Sequence, residues 1–395
     1  MTTAASRLLK MVLALAIAGV LLGDAAVVVA RRDSRSDDDK QAAREVPEDD
    51  RRQLEAALPE LQSFVEQTRG LRFKTPPEVE LLSSEDFDAM LRGDFEEEDE
   101  EGDEVVDDDS GIGLLRALGL VEGEVDIDAV IEDQLASVVG FYDSETKVLY
   151  ARGVSPSPYV KMVLVHELTH ALDDQHFGLD RPDLDDEASP AFDALVEGSA
   201  SVVEMRWYDS RPAGEQAEID AEEESGPVLG GDDDFEPSVF DRLMAFPYAV
   251  GPSFVEALVA AGGQERLNAA FTSPPPTTEQ VLHPEKFLAG ERTPPIARPT
   301  ADGPVTDEGR LGQVGLLLML DSAVEQETAL RAAAGWGNDG YVAWTSGART
   351  CVRFNLIMDS ARDTTEAASA LRAWAAAQPS ATVRGTAPIV VTSCA

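Results

Sequence analysis

Three histidines and one glutamate within a short segment are the residues of this chain whose types and spacing could do chemistry. The segment His166–His170 reads HELTH, and the chain of 395 residues has only four histidines. At about 100° per residue, His166 and His170 lie about 40° apart on one helix face, one turn along the axis. Two such imidazoles can bind one tetrahedral metal ion, and Glu167 could take a proton from water that the metal activates. The pattern therefore predicts a catalytic zinc site with Glu167 as the general base.

A catalytic zinc site needs a third protein ligand and an open position, and two residues compete for the ligand's place. Glu197 lies in a small and apolar stretch, AFDALVEGSAS, where metal binding would offset the cost of burying a carboxylate. The rival, His176, could reach the metal only through a sharp turn at Asp173, where glycine would be far more favourable. If the helix continues, His176 points about 80° away from His166. The backbone argument favours Glu197, and His176 stays open as the alternative.

Two segments carry a resemblance to known metallopeptidases. HELTH together with ALVEGSAS resembles the gluzincin group of the zincins, in which a glutamate from a following helix joins the HExxH motif. HELTHALDDQHFGL and PTTEQVLHPEKF resemble more closely a family of uncharacterised, exported, predicted metallopeptidases of bacteria and haloarchaea, over residues 72–287. The gap of 26 residues between His170 and Glu197 is longer than in thermolysin-like enzymes, so no thermolysin-specific pocket or calcium site is carried over. The resemblance implies zinc bound by His166, His170 and Glu197, Glu167 as the base, and a peptide or protein substrate.

The resemblance also implies a histidine or tyrosine beyond the second helix that stabilises the negative oxygen of the transition state. His283 in PTTEQVLHPEKF is the remaining histidine and the first candidate, although it could equally fix its loop by hydrogen bonds. Tyr208 and Tyr248 are weaker candidates for the same role. Asp193, one turn before Glu197, could orient a zinc-binding histidine or could be an ordinary exposed aspartate.

The composition is strongly acidic and limits the partners. Lys and Arg number 32 against 75 for Asp and Glu, which gives a formal net charge of -43. Such a surface repels nucleic acid and anionic lipid, so we expect no nucleic-acid partner. The simplest reading is a solubilising surface suited to salt or to an acidic exterior. Calcium binding by acidic loops is the sharper alternative, but the sequence has no EF-hand loop that would support it.

The N-terminus predicts export. Arg7 and Lys10 precede the apolar run Met11–Leu22, which small residues follow through Ala30. This pattern is typical of a signal peptide, and its length also allows a single membrane anchor. Either would place the rest of the chain outside the cytoplasm, secreted or held on the outer face of the membrane.

The two cysteines are consistent with export. Cys351 and Cys394 are a sparse, even pair near the end of the chain, which predicts one disulfide in an exported protein. The alternative is two buried free thiols.

The organisation along the chain predicts an α+β fold. Period-two apolar residues on either side of DSET predict a hairpin, and apolar periodicity over residues 160–172 and 190–209 predicts two helices. Residues 211–237 are polar and predict a surface loop. The predicted divisions are a signal peptide or anchor at 1–30, a disordered acidic linker at 31–52, a zincin-like domain with an active-site helix, a following glutamate helix and acidic insertions at 53–300, and a small α+β subdomain at 301–395.

Three functional hypotheses follow. The first is an exported zinc metallopeptidase. The second is a non-catalytic cell-surface binding protein on a degenerate zincin fold, and the third is an acidic, calcium-buffering surface protein. Glu167 favours the first over the second, because a site that only holds a metal has no need of a carboxylate beside its ligands. The grouping of three histidines and a glutamate in one segment argues against the third.

Overall fold

The structure is a computed structural model, and it describes residues 46–91, 108–126, 130, 138–152, 156–225 and 238–395. It confirms the predicted α+β class. A mainly helical part carries a three-stranded sheet, and a C-terminal part is built on a five-stranded sheet. The predicted export segment at 1–30 lies outside the described residues.

The helices and strands are numbered here in chain order. The helices are α1 (Glu48–Arg69), α2 (Asp108–Ala117), α3 (Pro158–Phe177), α4 (Ala188–Asp209), α5 (Ala213–Ser225), α6 (Val239–Thr272), α7 (Thr278–Leu282), α8 (Pro284–Ala289), α9 (Gly312–Asp321), α10 (Gln326–Ala333) and α11 (Ala361–Ala377). The strands are β1 (Glu78–Leu82), β2 (Gly140–Tyr142), β3 (Val148–Arg152), β4 (Val305–Gly309), β5 (Trp336–Ser346), β6 (Arg349–Met358), β7 (Thr382–Arg384) and β8 (Ile389–Cys394). A further short helical segment occupies 84–91.

The small sheet has the order β1-β3-β2 and contains the predicted hairpin. β2 and β3 pair antiparallel, and β1 joins β3 in parallel. The turn between β2 and β3 forms because the Asp143 carboxylate accepts hydrogen bonds from the backbone N–H groups of Glu145 and Thr146, at 2.7 and 3.2 Å. As an edge strand, β2 leaves the Tyr142 N–H available to a neighbouring helix.

That neighbour is α3, the helix that carries the HELTH motif. It begins where the Ser157 side chain accepts from the N–H of Val160 at 3.1 Å, with Pro158 in the first turn, and it ends at Phe177, directly before Gly178. Almost every residue from Tyr159 to Asp174 is buried, so α3 is the central helix of its part. Its apolar side chains pack against α1, the small sheet and the end of α4.

The helices α4 and α6 cross at a pair of glycines. A Cβ atom at Gly198 would lie 2.3 Å from the Gly251 carbonyl, and one at Gly251 would lie 2.2 Å from the Ala194 oxygen. Only glycine at both positions allows the two backbones to approach this closely. The small residues after Glu197 thus bring α6 directly against the glutamate helix.

The long helix α6 is interrupted near its end. Gly262 and Gly263 have non-helical backbone angles, so a last short helical piece follows the main helix. Within the described residues, α6 is also the one helix whose length and apolar composition would suffice to cross a membrane. Its residues Phe254, Val255 and Leu258 are buried against α4, as in the core helix of a globular protein.

The C-terminal part is an antiparallel sheet of order β4-β5-β6-β8-β7, covered on one face by α9, α10 and α11. Trp336, Phe354 and Trp374 lie fully buried between the sheet and these helices. Cys351 on β6 stands directly opposite Cys394 on β8, and the two form the predicted disulfide.

Two segments differ from expectation. The polar residues 211–237, predicted as a loop, include the helix α5. This helix is rich in Glu and Ala, which have high helix propensity. The side chain of Ile219 is fully buried and packs in the same apolar cluster as α3. The helix α1 begins at Glu48, inside the predicted linker 31–52, with three acidic residues in its first turn.

The two parts meet at the start of α4. Asp185 accepts hydrogen bonds from the N–H groups at 187 and 188, and it also forms an ion pair at 2.6 Å with Arg310 of the C-terminal part. The buried Glu187 carboxylate accepts from both the N–H and the hydroxyl of Thr278, at 2.7 and 2.6 Å. Its other oxygen lies against Gly312, where a Cβ atom would be 1.8 Å away. The N-terminal end of the glutamate helix is therefore fixed by the C-terminal part.

Candidate metal centre

His166 and His170 of α3 converge with Glu197 of α4. Nε2 of His166 lies 3.1 Å from Oε2 of Glu197, and Nε2 of His170 lies 3.4 Å from the same oxygen. The two imidazole rings are 4.7 Å apart between centroids. All three side chains are buried, and one donor atom from each can be chosen so that all lie within 4.8 Å of one another.

The donor set suits a small divalent cation. Ligand atoms on a tetrahedron with bonds of about 2.0–2.1 Å lie about 3.3 Å apart, close to the two nitrogen-to-oxygen distances found here. Among the described residues, Oε1 of Glu167, Nε2 of His170 and Oε1 of Glu197 are buried without a hydrogen-bond partner. Buried polar atoms are normally paired, so lone pairs left over in one place indicate a ligand that the protein chain itself does not supply.

The electrostatics of the cluster hold Glu197 ionised. Burial favours its neutral form, but the adjacent His170 and His166 outweigh burial and lower the pKa of Glu197 to about 2. Burial likewise disfavours the charged form of His166, yet the carboxylates of Glu197 and Glu204 hold the pKa of His166 well above its usual 6.5.

Glu167 lies beside the cluster and is held by one oxygen only. The backbone N–H of Tyr142, on the edge strand β2, donates to its Oε2 at 2.9 Å. Burial, opposed in part by His170 and His166, raises the pKa of Glu167 to about 7. The hairpin therefore orients the carboxylate and leaves its second oxygen available.

Glu204 joins the cluster and was not predicted from the sequence. Its Oε2 lies 2.8 Å from Nδ1 of His166, the ring nitrogen that faces away from Glu197. Glu204 follows Glu197 by seven residues, two helical turns, so the spacing itself places both carboxylates on one face of α4. Asp193, the residue considered for this orienting role, is buried on α4, and its charge acts on the hydroxyl of Tyr248.

The rival third ligand, His176, lies elsewhere. The helix α3 continues through position 173 to Phe177, and Nε2 of His176 lies 2.8 Å from the backbone oxygen of Arg72. Asp173 has a structural role, since it binds the buried Arg69 guanidinium at 2.6 Å and accepts from the Ser199 hydroxyl at 2.7 Å. The structure brings Glu197, and not His176, to the two histidines.

Of the residues considered for the oxyanion role, Tyr248 is the one beside the cluster. Its ring stacks on His166 with centroids 6.4 Å apart, and burial together with the charges of Glu197 and Glu167 raises the pKa of Tyr248 well above 10. His283 instead contacts Gln313 of the C-terminal part, with 3.2 Å between their nitrogens. The Tyr208 hydroxyl donates to Asp220 at 2.8 Å.

Comparisons with known proteins bear on the C-terminal part. A family model described as a domain of unknown function, DUF8575, matches residues 300–393. These residues hold the five-stranded sheet and lie outside the metal cluster. Searches with the chain found no matching curated protein and no matching solved structure.

Proposed function

We propose that this chain is a zinc-dependent metallopeptidase of the gluzincin type, with His166, His170 and Glu197 as the metal ligands and Glu167 as the general base. The observation that carries the proposal is the convergence of three buried donor groups, two imidazoles and one carboxylate, beside the second carboxylate of Glu167, with unpaired atoms left on His170, Glu197 and Glu167. Neutral imidazole nitrogens and a carboxylate oxygen are the ligand types that zinc takes in catalytic sites. The resemblance of the HELTH and ALVEGSAS segments to the gluzincins supports peptide bonds as the substrate class.

When bound, the metal would supply Lewis acidity that polarises a substrate carbonyl and lowers the pKa of water. The chain's own residues supply the rest of the chemistry. Glu167 keeps one oxygen on the Tyr142 N–H and can take a proton on the other. Glu204 holds the ring of His166 at the nitrogen that faces away from Glu197. Tyr248, stacked on His166 and hydrogen-bonded to Glu197, can turn its hydroxyl to the negative charge that develops on the carbonyl oxygen.

Metal content and peptide cleavage, measured on the same preparations, test the proposal. We expect close to one zinc per chain by elemental mass spectrometry. His166→Ala should lose both zinc and activity, and Glu167→Gln should keep zinc while cleavage of a general peptide library falls by about 10²–10⁴-fold. His176→Ala is the matched control, because it removes a histidine of the same helix that lies outside the cluster. A chain that binds no zinc even after reconstitution, or a Glu167→Gln variant as active as the parent, would contradict the proposal.

The non-catalytic binding protein remains the second hypothesis, and the same two measurements on the parent protein distinguish it. It predicts one zinc per chain with no cleavage of any library peptide by the parent protein. The position of Glu167, held ready by the hairpin with one free oxygen, favours the catalytic hypothesis.

The proposal includes an extracytoplasmic location, secreted or anchored at the outer face of the membrane. It rests on the export pattern in residues 1–30, and the disulfide between Cys351 and Cys394 supports it because such bonds persist in oxidising compartments.

A further inference from the structure

Residues 291–300, which connect the metal-site part to the C-terminal part, form no helix or strand. Partial burial recurs at every third residue, at Thr293, Ile296 and Pro299, while the residues between them are exposed. A period of three is that of the polyproline II helix, and the three prolines in TPPIARPT favour its backbone angles. This segment is called the strap below.

The strap's carbonyl groups are bound with the same period. The side-chain amide of Asn338 donates to Pro294 O at 2.7 Å, and that of Asn355 donates to Ala297 O at 2.7 Å. The Arg353 guanidinium donates to Thr300 O at 2.5 Å. Three side chains of β5 and β6 therefore bind the carbonyls along one edge of an extended helix.

These side chains belong to the face of the sheet that is turned away from α9, α10 and α11. Residues of β5 alternate, so that Tyr341 and Ala343 enter the helix-covered core while Asn338 and Gly340 face the strap. Gly340 pairs with Asn355, and a Cβ atom there would lie 3.3 Å from the Arg298 side chain. The glycine therefore lets the strap come close to the sheet.

The arrangement has the properties of a peptide-binding groove. The polar side chain of Asn338 is buried, so losing its hydrogen bond to the Pro294 carbonyl would leave a buried amide without a partner. The groove contacts backbone carbonyls and the half-buried side chain of Ile296, and such contacts suit any polyproline II segment with the same spacing. All three donors lie within the family-matched residues 300–393, whereas the first two acceptors precede them.

We propose that the outer face of β5 and β6 is a binding site for polyproline II segments, and that the strap occupies it as an internal ligand that a proline-rich segment of a partner protein can replace. This interaction is independent of the metal centre.

The test uses the full chain with residues 294–299 replaced by alternating Gly and Ser. The probe is a fluorescent peptide of residues 292–300, RTPPIARPT, and a peptide with glycine in place of Pro294 and Pro295 is the control. We expect the strap-replaced chain to bind the probe at least tenfold more tightly than the parent, because the parent's own strap competes at high effective concentration. The control peptide should bind at least tenfold more weakly than the probe, since it loses its preformed conformation.

Donor variants in the strap-replaced chain identify the groove. Asn338→Ala combined with Asn355→Ala should weaken probe binding by about tenfold or more, since two hydrogen bonds are lost. Ser346→Ala, at the exposed end of β5, should leave binding unchanged. If binding survives the double variant, or if a strap-replaced chain with its disulfide and thermal transition intact does not bind the probe, the proposal is wrong.

A second variant covers the case in which the strap-replaced chain does not fold. Ile296→Ser removes a half-buried apolar contact of the strap and keeps the backbone. We expect faster hydrogen exchange across 291–300 together with probe binding tighter than the parent's. Faster exchange without probe binding would overturn the proposal. A concentration-dependent dimer that the probe does not dissociate would overturn it too, by assigning the groove to a second copy of this chain.

Discussion

Nδ1 of His166 lies 2.8 Å from Oε2 of Glu204, while Nε2 of the same ring lies 3.1 Å from Oε2 of Glu197. One helix thus places a carboxylate at each nitrogen of a single imidazole. A hydrogen bond at Nδ1 fixes the ring and its tautomer, so that Nε2 can present a lone pair to a cation. The orientation of α4 about its own axis therefore determines both the distance from Glu197 to Nε2 and the distance from Glu204 to Nδ1.

Replacement of Glu204 by Gln should weaken metal binding without abolishing it. The amide keeps the size of the side chain but removes the charge that supports His166, and loss of such a partner typically costs about 10–100-fold in metal affinity. Competition with a chromophoric chelator measures the affinity. Glu218→Gln, an exposed change on α5, is the matched control. Equal affinities for the two variants would show that Glu204 does not act on the metal.

Replacing Tyr248 and replacing His283 tests which of the two residues stabilises the oxyanion. Because Tyr248 stacks on His166 while His283 contacts Gln313, Tyr248→Phe should lower kcat by about 10²–10³-fold with zinc content unchanged. His283→Ala should change kcat much less. Steady-state kinetics on one peptide substrate measure both. The reverse order would return the role to His283.

A methyl group at the α4–α6 crossing should disturb the metal centre from a distance. Gly198→Ala forces the backbones of α4 and α6 apart, at a cost of about 1–3 kcal/mol in the free energy of unfolding. It should also weaken zinc binding, because Glu197 is the adjacent residue. Gly214→Ala on α5 is the control, since no atom lies within 4 Å of the added carbon. Denaturant unfolding and chelator competition measure the two effects, and a Gly198→Ala variant as stable as this control would contradict the described crossing.

The buried Glu187 should make the fold less stable at alkaline pH. Burial raises the pKa of Glu187 to about 8, from 4.5 when it is exposed. Between these values the folded chain holds a proton that the unfolded chain releases, so this contribution to stability is complete below pH 4.5 and is lost as the pH rises through about 8. Burial also raises the pKa of the nearby Asp339, which acts in the same direction.

Thermal unfolding at several pH values between 5 and 9 measures the effect. Glu187→Gln keeps an acceptor for Thr278 and should make the melting temperature fall less steeply over this range. Glu285→Gln, a change at a side chain that is 76% exposed, should leave the slope of the parent. An unchanged slope in Glu187→Gln would mean that Glu187 is already ionised in the folded chain.

The sequence predicted those parts of the fold that depend on local periodicity. The helix around His166 and the hairpin at DSET were predicted correctly, because apolar spacing and turn residues act over short distances. The disulfide was predicted from the number of cysteines, which leaves one possible pair. The polar helix α5 was missed. Its fully buried Ile219 is one apolar residue among charged ones, too little for a periodic signal.

The site was predicted less completely than the fold. The spacing within HELTH placed two histidines together, but the preference for Glu197 over His176 depended on whether the backbone turns at Asp173. The buried side-chain partner of Asp173, Arg69, lies 104 positions earlier in the chain. Tyr248 reaches the cluster through the crossing of two helices at glycines far apart in sequence. Such contacts leave no pattern in a single sequence. The spacing of seven residues between Glu197 and Glu204 is a visible pattern, and the role of Glu204 could have been predicted from it.

The disulfide has a consequence for a chain that shares its compartment with proteases. Cys351 and Cys394 are 43 positions apart, and most of β6, α11, β7 and β8 lie between them. A single cut anywhere in that interval leaves both fragments covalently joined, with the ends of β6 and β8 still side by side. A nicked molecule would gain the mass of one water and migrate as two pieces only after reduction. The C-terminal part could therefore be clipped without being lost from the molecule.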